Sequence, residues 1–250
     1  MRLTPIDRDT LDQALVQFAT YLAPDTAALA AFDLIAGTAV DYDAPYDSAA
    51  HRQAARDLVA SFGVPVIDEE PSAAFSWDGE AIRMRGEASV LIHELAHWQI
   101  SPPERQSRPD FGLGAGPETG WVDEADIARC ATDEVKEHEE LMASLLGILW
   151  EAALCQPAIN AFVEQNWLEA WERPAAGVQF GRTVDDLVSR GLIGADAVPY
   201  SGSVATAEIS IRNSGQASAD TSTMADAGPS DGKYRARISE TELNASMSVT

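Results

Sequence analysis

The sequence predicts a mainly α-helical protein of the α+β type, with a small β-hairpin and a flexible C-terminal tail. Three observations carry this. Apolar residues recur at three- and four-residue spacing through most of the first 190 positions. Segments that alternate as strands do are short and lie just ahead of the central motif. From about Ser201 the composition shifts to Ser, Thr, Ala, Gly and Asp with one aromatic, Tyr234, too little apolar area to offset the entropy of ordering. We divide the chain into residues 1–198, a single domain, and 199–250, a tail in which 205–212 (ATAEISIR) is the exception expected to form a strand.

In chain order, TLDQALVQFATYLA (10–23) sets Leu11, Leu15, Phe18 and Leu22 on one helical face, and Pro24 stops it. An alanine-rich helix over 25–36 ends near Gly37, DYDAPYDS is a loop, and a third helix covers 48–62. FGVPVID is a short extended piece. FSWDGEAIRMR (75–85) reads as a hairpin turning at Asp78-Gly79. The next helix starts near Glu87 and must end by Ser101, because Pro102 and Pro103 cannot continue it. After a glycine-rich loop (109–121) comes a long helical segment from 123 to 155, broken once, then helices in 157–172 and 180–190.

The bulk properties bound the partners. A formal charge of −23 disfavours nucleic-acid backbones and anionic membranes. Two cysteines, Cys130 and Cys155, fit a reducing compartment without a disulfide framework. Neither a signal peptide nor an apolar run of the roughly 18–20 residues a membrane span needs is visible. A cytoplasmic location is expected. The oligomeric state leaves no signature.

The chemistry is concentrated in VLIHELAHWQIS, residues 90–101. His93 and His97 stand one helical turn apart, so both can aim a ring nitrogen at one divalent ion. Glu94 lies roughly 100° round the helix from His93, placed to reach a water beside the ion. A helix with two ordinary histidines is the bland alternative, but two of the chain's four histidines falling in His-Glu-x-x-His argues against it. Two histidines leave the site incomplete, and the acidic start of DEVKEHEELMASLLGILWEAAL is the source of a third ligand. Glu140 is favoured, then Glu137, its i, i+3 neighbour; the other acids of this run, Glu134 and Glu139, suit a solvated helix face. One acid is expected to orient a histidine from behind. His138 is a rival ligand. Small residues Ser144 and Gly147 would let this helix approach the motif helix closely, giving a zincin-like layout with the metal between two helices.

The similarity to known proteins extends past the motif. Trp98, Ile100, Ser101, Arg105, Asp110, Phe111 and Gly112 follow it at characteristic offsets. Glu137 and Glu140 lead into an apolar helix with Leu146 and Trp150, and NWLEA (166–170) and VQFGRTV (178–184) complete a set of ungapped blocks over 82–195. In these blocks the chain resembles the elongation factor P hydroxylases, which hydroxylate the modified lysine of that translation factor. The loop LGAGPETGW departs from the family's aromatic- and Cys-containing run, and so bears on the substrate. The resemblance implies a non-haem Fe(II) enzyme using molecular oxygen, with elongation factor P or another protein as partner. The same residues around Zn would instead activate water with Glu94 as general base, the pattern of a metallopeptidase or an antirestriction-type protein. A structural metal in a non-catalytic module is the third reading.

Asp110 could be a ligand, a partner behind His93 or His97, or a loop-turn acid, with the supporting or structural role favoured. Arg105 could pair with Asp110 or with an acidic substrate group, a surface salt bridge being the bland option. Arg182 is of the same kind. Trp98, Trp121 and Trp150 read as core or pocket wall, and His51 as a helix-surface residue.

Overall fold

The computed structural model describes residues 6–24, 26–42, 47–69, 76–115 and 122–201. The tail from 202, with its expected strand at 205–212, lies outside the described residues, as do 116–121 and hence Trp121. Nine helices and two short strands are seen among the described residues: α1 (Arg8–Ala19), α2 (Ala27–Ala36), α3 (Ala49–Ser61), β1 (Val66–Ile67), β2 (Ile82–Arg83), α4 (Ala88–Ile100), α5 (Pro103–Gln106), α6 (Val122–Ala128), α7 (Asp133–Ala153), α8 (Ala158–Glu164) and α9 (Pro174–Ser189). The protein is mainly helical, and no described helix is long and apolar enough to cross a membrane.

Four helices begin on a side-chain cap. Asp7, Thr26, Ser48 and Thr132 each accept a hydrogen bond from the amide three residues on, at the starts of α1, α2, α3 and α7. Each such cap contributes about 1 kcal/mol. The motif helix α4 borrows its cap: Ala88 donates its amide to Asp47, 3.1 Å away. Asp47 also holds Arg52 in a two-pronged ion pair, which ties the start of α4 to that of α3.

The small β element differs from expectation. The Asp78-Gly79 turn forms, with Asp78 accepting from the amides of Glu80 and Ala81. The hairpin around it, however, shrinks to one antiparallel bridge, Trp77 to Ile82. β2 pairs instead in parallel with β1, Ile82 donating to Pro65 and Met84 to Ile67, both at 2.9 Å. Trp77 explains the change. Its indole donates to the carbonyl of Gln106 and its ring stacks on Phe111, so it belongs to the segment after α4 rather than to a strand.

α7 is the central helix. It packs against α4, α2, α8 and α9, while α3 covers α4 and α1 lies against α2 and α9. Along its second half α7 is buried all round, with every residue from Met142 to Trp150 except Ser144 buried. On one flank, Phe18, Phe32, Phe162 and Phe180 interlock with Trp167 in stacked and edge-to-face contacts. α9 starts six residues earlier than its sequence suggests. Pro174 opens it, and Gly177 is a close-packing position, since a Cβ there would come within 2.6 Å of Tyr21. Packing also continues slightly past position 198, through an Ile193–Pro199 bridge and a Tyr200 amide bonded to Leu192.

At Gly147, α7 passes the backbone of His93. A Cβ at this position would lie 3.7 Å from the His93 Cα, which is ordinary contact distance. Gly147→Ala is therefore expected to fold and to gain up to about 1 kcal/mol from helix propensity. Gly147→Leu would push α4 away and lower the melting temperature. Thermal unfolding of the two variants checks both outcomes.

Candidate metal centre

α4 carries His93 and His97 on the face that meets α7, and α7 brings Glu140 to them. The Nε2 atoms of the two histidines lie 3.1 Å apart. Oε2 of Glu140 is 3.4 Å from Nε2 of His97 and 3.8 Å from Nε2 of His93. A circle through three atoms so spaced has a radius of about 2.0 Å, and metal–nitrogen and metal–oxygen bonds run about 2.0–2.2 Å. A divalent ion near the centre of this triangle meets all three donors at bonding distance without moving the chain. Among the described residues, this is the one group of three potential ligands drawn together.

The other sequence-derived candidates fall into distinct places. Glu137 is exposed and is not one of the three grouped donors. His138 faces Asp186 of α9 at 3.6 Å and is not one of them either. Arg182 is exposed. Trp150 is buried and donates to Gln99, and Trp98 packs half-buried against the core. His51 is half-buried on α3, its carbonyl accepting from Gln156.

Glu139, assigned above to a solvated face, is instead buried, with 4% of its surface exposed. It accepts 2.6 Å from the Ser101 hydroxyl and pairs with Arg105, and its Oε1 faces Nδ1 of His97 at 3.8 Å. Two consecutive carboxylates thus straddle one imidazole, Glu140 on its Nε2 side and Glu139 on its Nδ1 side. The sequence hint was Ser101 and Arg105 together: a polar and a cationic residue following the helix, both of which need a partner if buried. Arg105 is correspondingly buried rather than paired with Asp110 at the surface. Removing one member of such a buried pair costs about 3–5 kcal/mol, because the other charge is stranded.

The loop after α5 closes the site. Asp110 and Phe111 both adopt left-handed backbone, φ 44° and 52°, a conformation that costs non-glycine residues about 1–3 kcal/mol each. Phe111 is thereby laid on the His97 ring, centroids 5.5 Å apart, with Trp77 stacked on its far face at 5.2 Å. Away from the loop, a cleft of about 1060 Å3 opens between α7 and the segment 165–179, and Glu140 forms part of its wall with Glu137, Ser144 and Arg173.

The electrostatics couple the two histidines to the acids around them. Burial works against a charged His97, but its contacts with Glu139 and Glu140 outweigh that and push its pKa up to about 10. Burial likewise opposes the charge on Glu140, yet the two histidines hold its carboxyl far below the usual range. Glu94 goes the other way: desolvation raises it, His97 and His93 pull it down, and Asp110 and Glu140 add to the rise.

No family model, curated protein or solved structure matches the chain.

Glu140→Ala is expected to abolish tight divalent-metal binding and Glu137→Ala to leave it intact, as read by calorimetric titration. Protonation gives a second outcome. In the metal-free protein His97 sits above its ordinary 6.5, so its contribution to stability is complete below that pH and lost as pH rises toward about 10. Denaturant unfolding across this window should show the decline without metal and not with it, while metal affinity rises by up to about tenfold per pH unit.

Proposed function

We propose that this protein is a metal-dependent hydroxylase in which His93, His97 and Glu140 hold Fe(II) and a C–H bond of a protein side chain is hydroxylated with molecular oxygen. The observation that carries the reading is the donor triangle. Two imidazoles and one carboxylate on one side of an ion leave its remaining positions free for oxygen and substrate. Bound there, iron would supply dioxygen activation: one oxygen atom enters the C–H bond, and the other leaves as water with two electrons and two protons from an external reductant.

The residues behind the resemblance to elongation factor P hydroxylases support the same reading. Of the residues that carry that resemblance, Ser101, Arg105 and Phe111 contact Glu139 or His97 and so lie beside the centre. The partner we favour is elongation factor P, or another protein presenting a lysine-derived side chain, which the acidic surface would attract. The cleft beside Glu140 is wide enough to receive such a side chain. Within the centre, Glu140 would offset the ion's charge, Glu139 would steady His97, and Glu94, its carboxyl raised by desolvation, would be the proton-handling group.

One observation favours a second reading. A glutamate whose carboxyl is raised by desolvation, next to a metal motif, suits a general base acting on water, as in a zinc hydrolase. The two separate experimentally. Protein loaded anaerobically with Fe(II) is expected to consume oxygen and add about 16 mass units to its substrate, the mass of one oxygen atom from dioxygen. Zinc-loaded protein that cleaves peptide bonds, with the cleavage lost in Glu94→Gln, would overturn the hydroxylase assignment.

A further inference from the structure

We propose that Arg105 is a positioning residue for the metal centre: one guanidinium fixes both the carboxylate behind His97 and the aromatic ring against it. This rests on the reading of His93, His97 and Glu140 as metal-holding residues, and it assigns to Arg105 a task the ligands cannot perform themselves.

The geometry is a fork. Nη2 of Arg105 donates to Oε2 of Glu139, while Nη1 donates 3.0 Å to the carbonyl of Phe111. Each prong reaches His97 through a different neighbour. Through Glu139, already steadied by Ser101, it sets the oxygen that faces Nδ1, a buried atom with no hydrogen-bond partner among the described residues. Through the Phe111 carbonyl, it ties down the left-handed turn that lays the Phe111 ring on the imidazole. His97 has two constraints on its ring plane, and both end on the same side chain.

The planar, delocalised guanidinium is what this arrangement needs. It presents donors in a fixed fork, whereas a lysine ammonium is a point charge on a flexible stem and cannot hold both acceptors in register. Arg105 is also buried, so neither bond is shared with bulk water. Its neighbour Arg108 is exposed and bonds the Ala128 carbonyl, so it shares none of these contacts with the centre. An imidazole free to swing by a fraction of an ångström loses bond overlap with an ion, and partners behind a ligating histidine typically change metal affinity about 10–100-fold.

The test uses Co(II), whose visible spectrum reports ligand geometry, on the full-length chain. Arg105→Lys is expected to weaken Co(II) binding roughly 10–100-fold in competition with a chromophoric chelator, and to shift the absorption bands of the bound ion. Phe18→Leu, in the distant aromatic cluster, should lower the melting temperature while leaving affinity and spectrum as in the wild type. Arg105→Lys with wild-type affinity and spectrum would sink the proposal. So would an equal loss in Phe18→Leu, since the effect would then be general destabilisation. Should Arg105→Lys not fold, Glu139→Gln, which keeps the acceptor for Ser101, is expected to shift affinity and spectrum the same way; unchanged values there overturn it equally. Wild-type protein that binds no Co(II) would remove the metal reading itself, and this inference with it.

Discussion

Everything at the candidate centre depends on how closely α4 and α7 can approach. The two histidines belong to one helix and Glu140 to the other, so the donor triangle exists only where the backbones run close. Gly147 lets this happen, standing over the His93 backbone where a longer side chain would hold the helices apart. Burial all round α7 then keeps it in place, because any shift of that helix opens contacts with α2, α8 and α9 as well as with α4. The aromatic cluster on the far flank adds to the stability of the helix packing and includes none of the three donor residues.

A second constraint is electrostatic. The chain carries a formal charge of −23, yet it buries one carboxylate, Glu139, and sets a second, half-buried one, Glu140, beside it. Glu139 is offset by Arg105 and Ser101; Glu140 has only the two histidines. Glu139 and Glu140 together push the His97 pKa up to about 10, against the opposing effect of burial. A metal held by the same imidazole would have to displace that proton.

Much of this was legible in the sequence, and the parts that were not share a cause. The motif helix could be bounded because its ends are local: two prolines after Ser101 stop it whatever it packs against. The break between α6 and α7 and the capped starts are local in the same sense. The role of Glu139 was not legible, because in a run of acids nothing nearby marks which one is buried; its partners come from α4 and α5, earlier in the chain. The parallel pairing of β1 with β2 is similar. The turn at Asp78-Gly79 suggests a hairpin, and the competing demand on Trp77 comes from Gln106 and Phe111, well downstream. The early start of α9 is similar, since the close approach of Gly177 to Tyr21 involves a residue far upstream. Short-range chemistry set the elements, and long-range packing decided which side chains face the site.

The division of the donors between two helices also governs when the centre can form. One turn of α4 offers two imidazoles as soon as it is helical, an event of local chain dynamics on the microsecond scale or faster. Glu140 arrives only after a long loop has closed and α7 has docked, which is a late, non-local step. An ion meeting the chain early would be held weakly by two ligands, and tightly only once the fold is complete. Metal bound in this way acts as a latch on the finished structure: it slows opening of the α4–α7 contact and leaves the route to that contact largely unchanged.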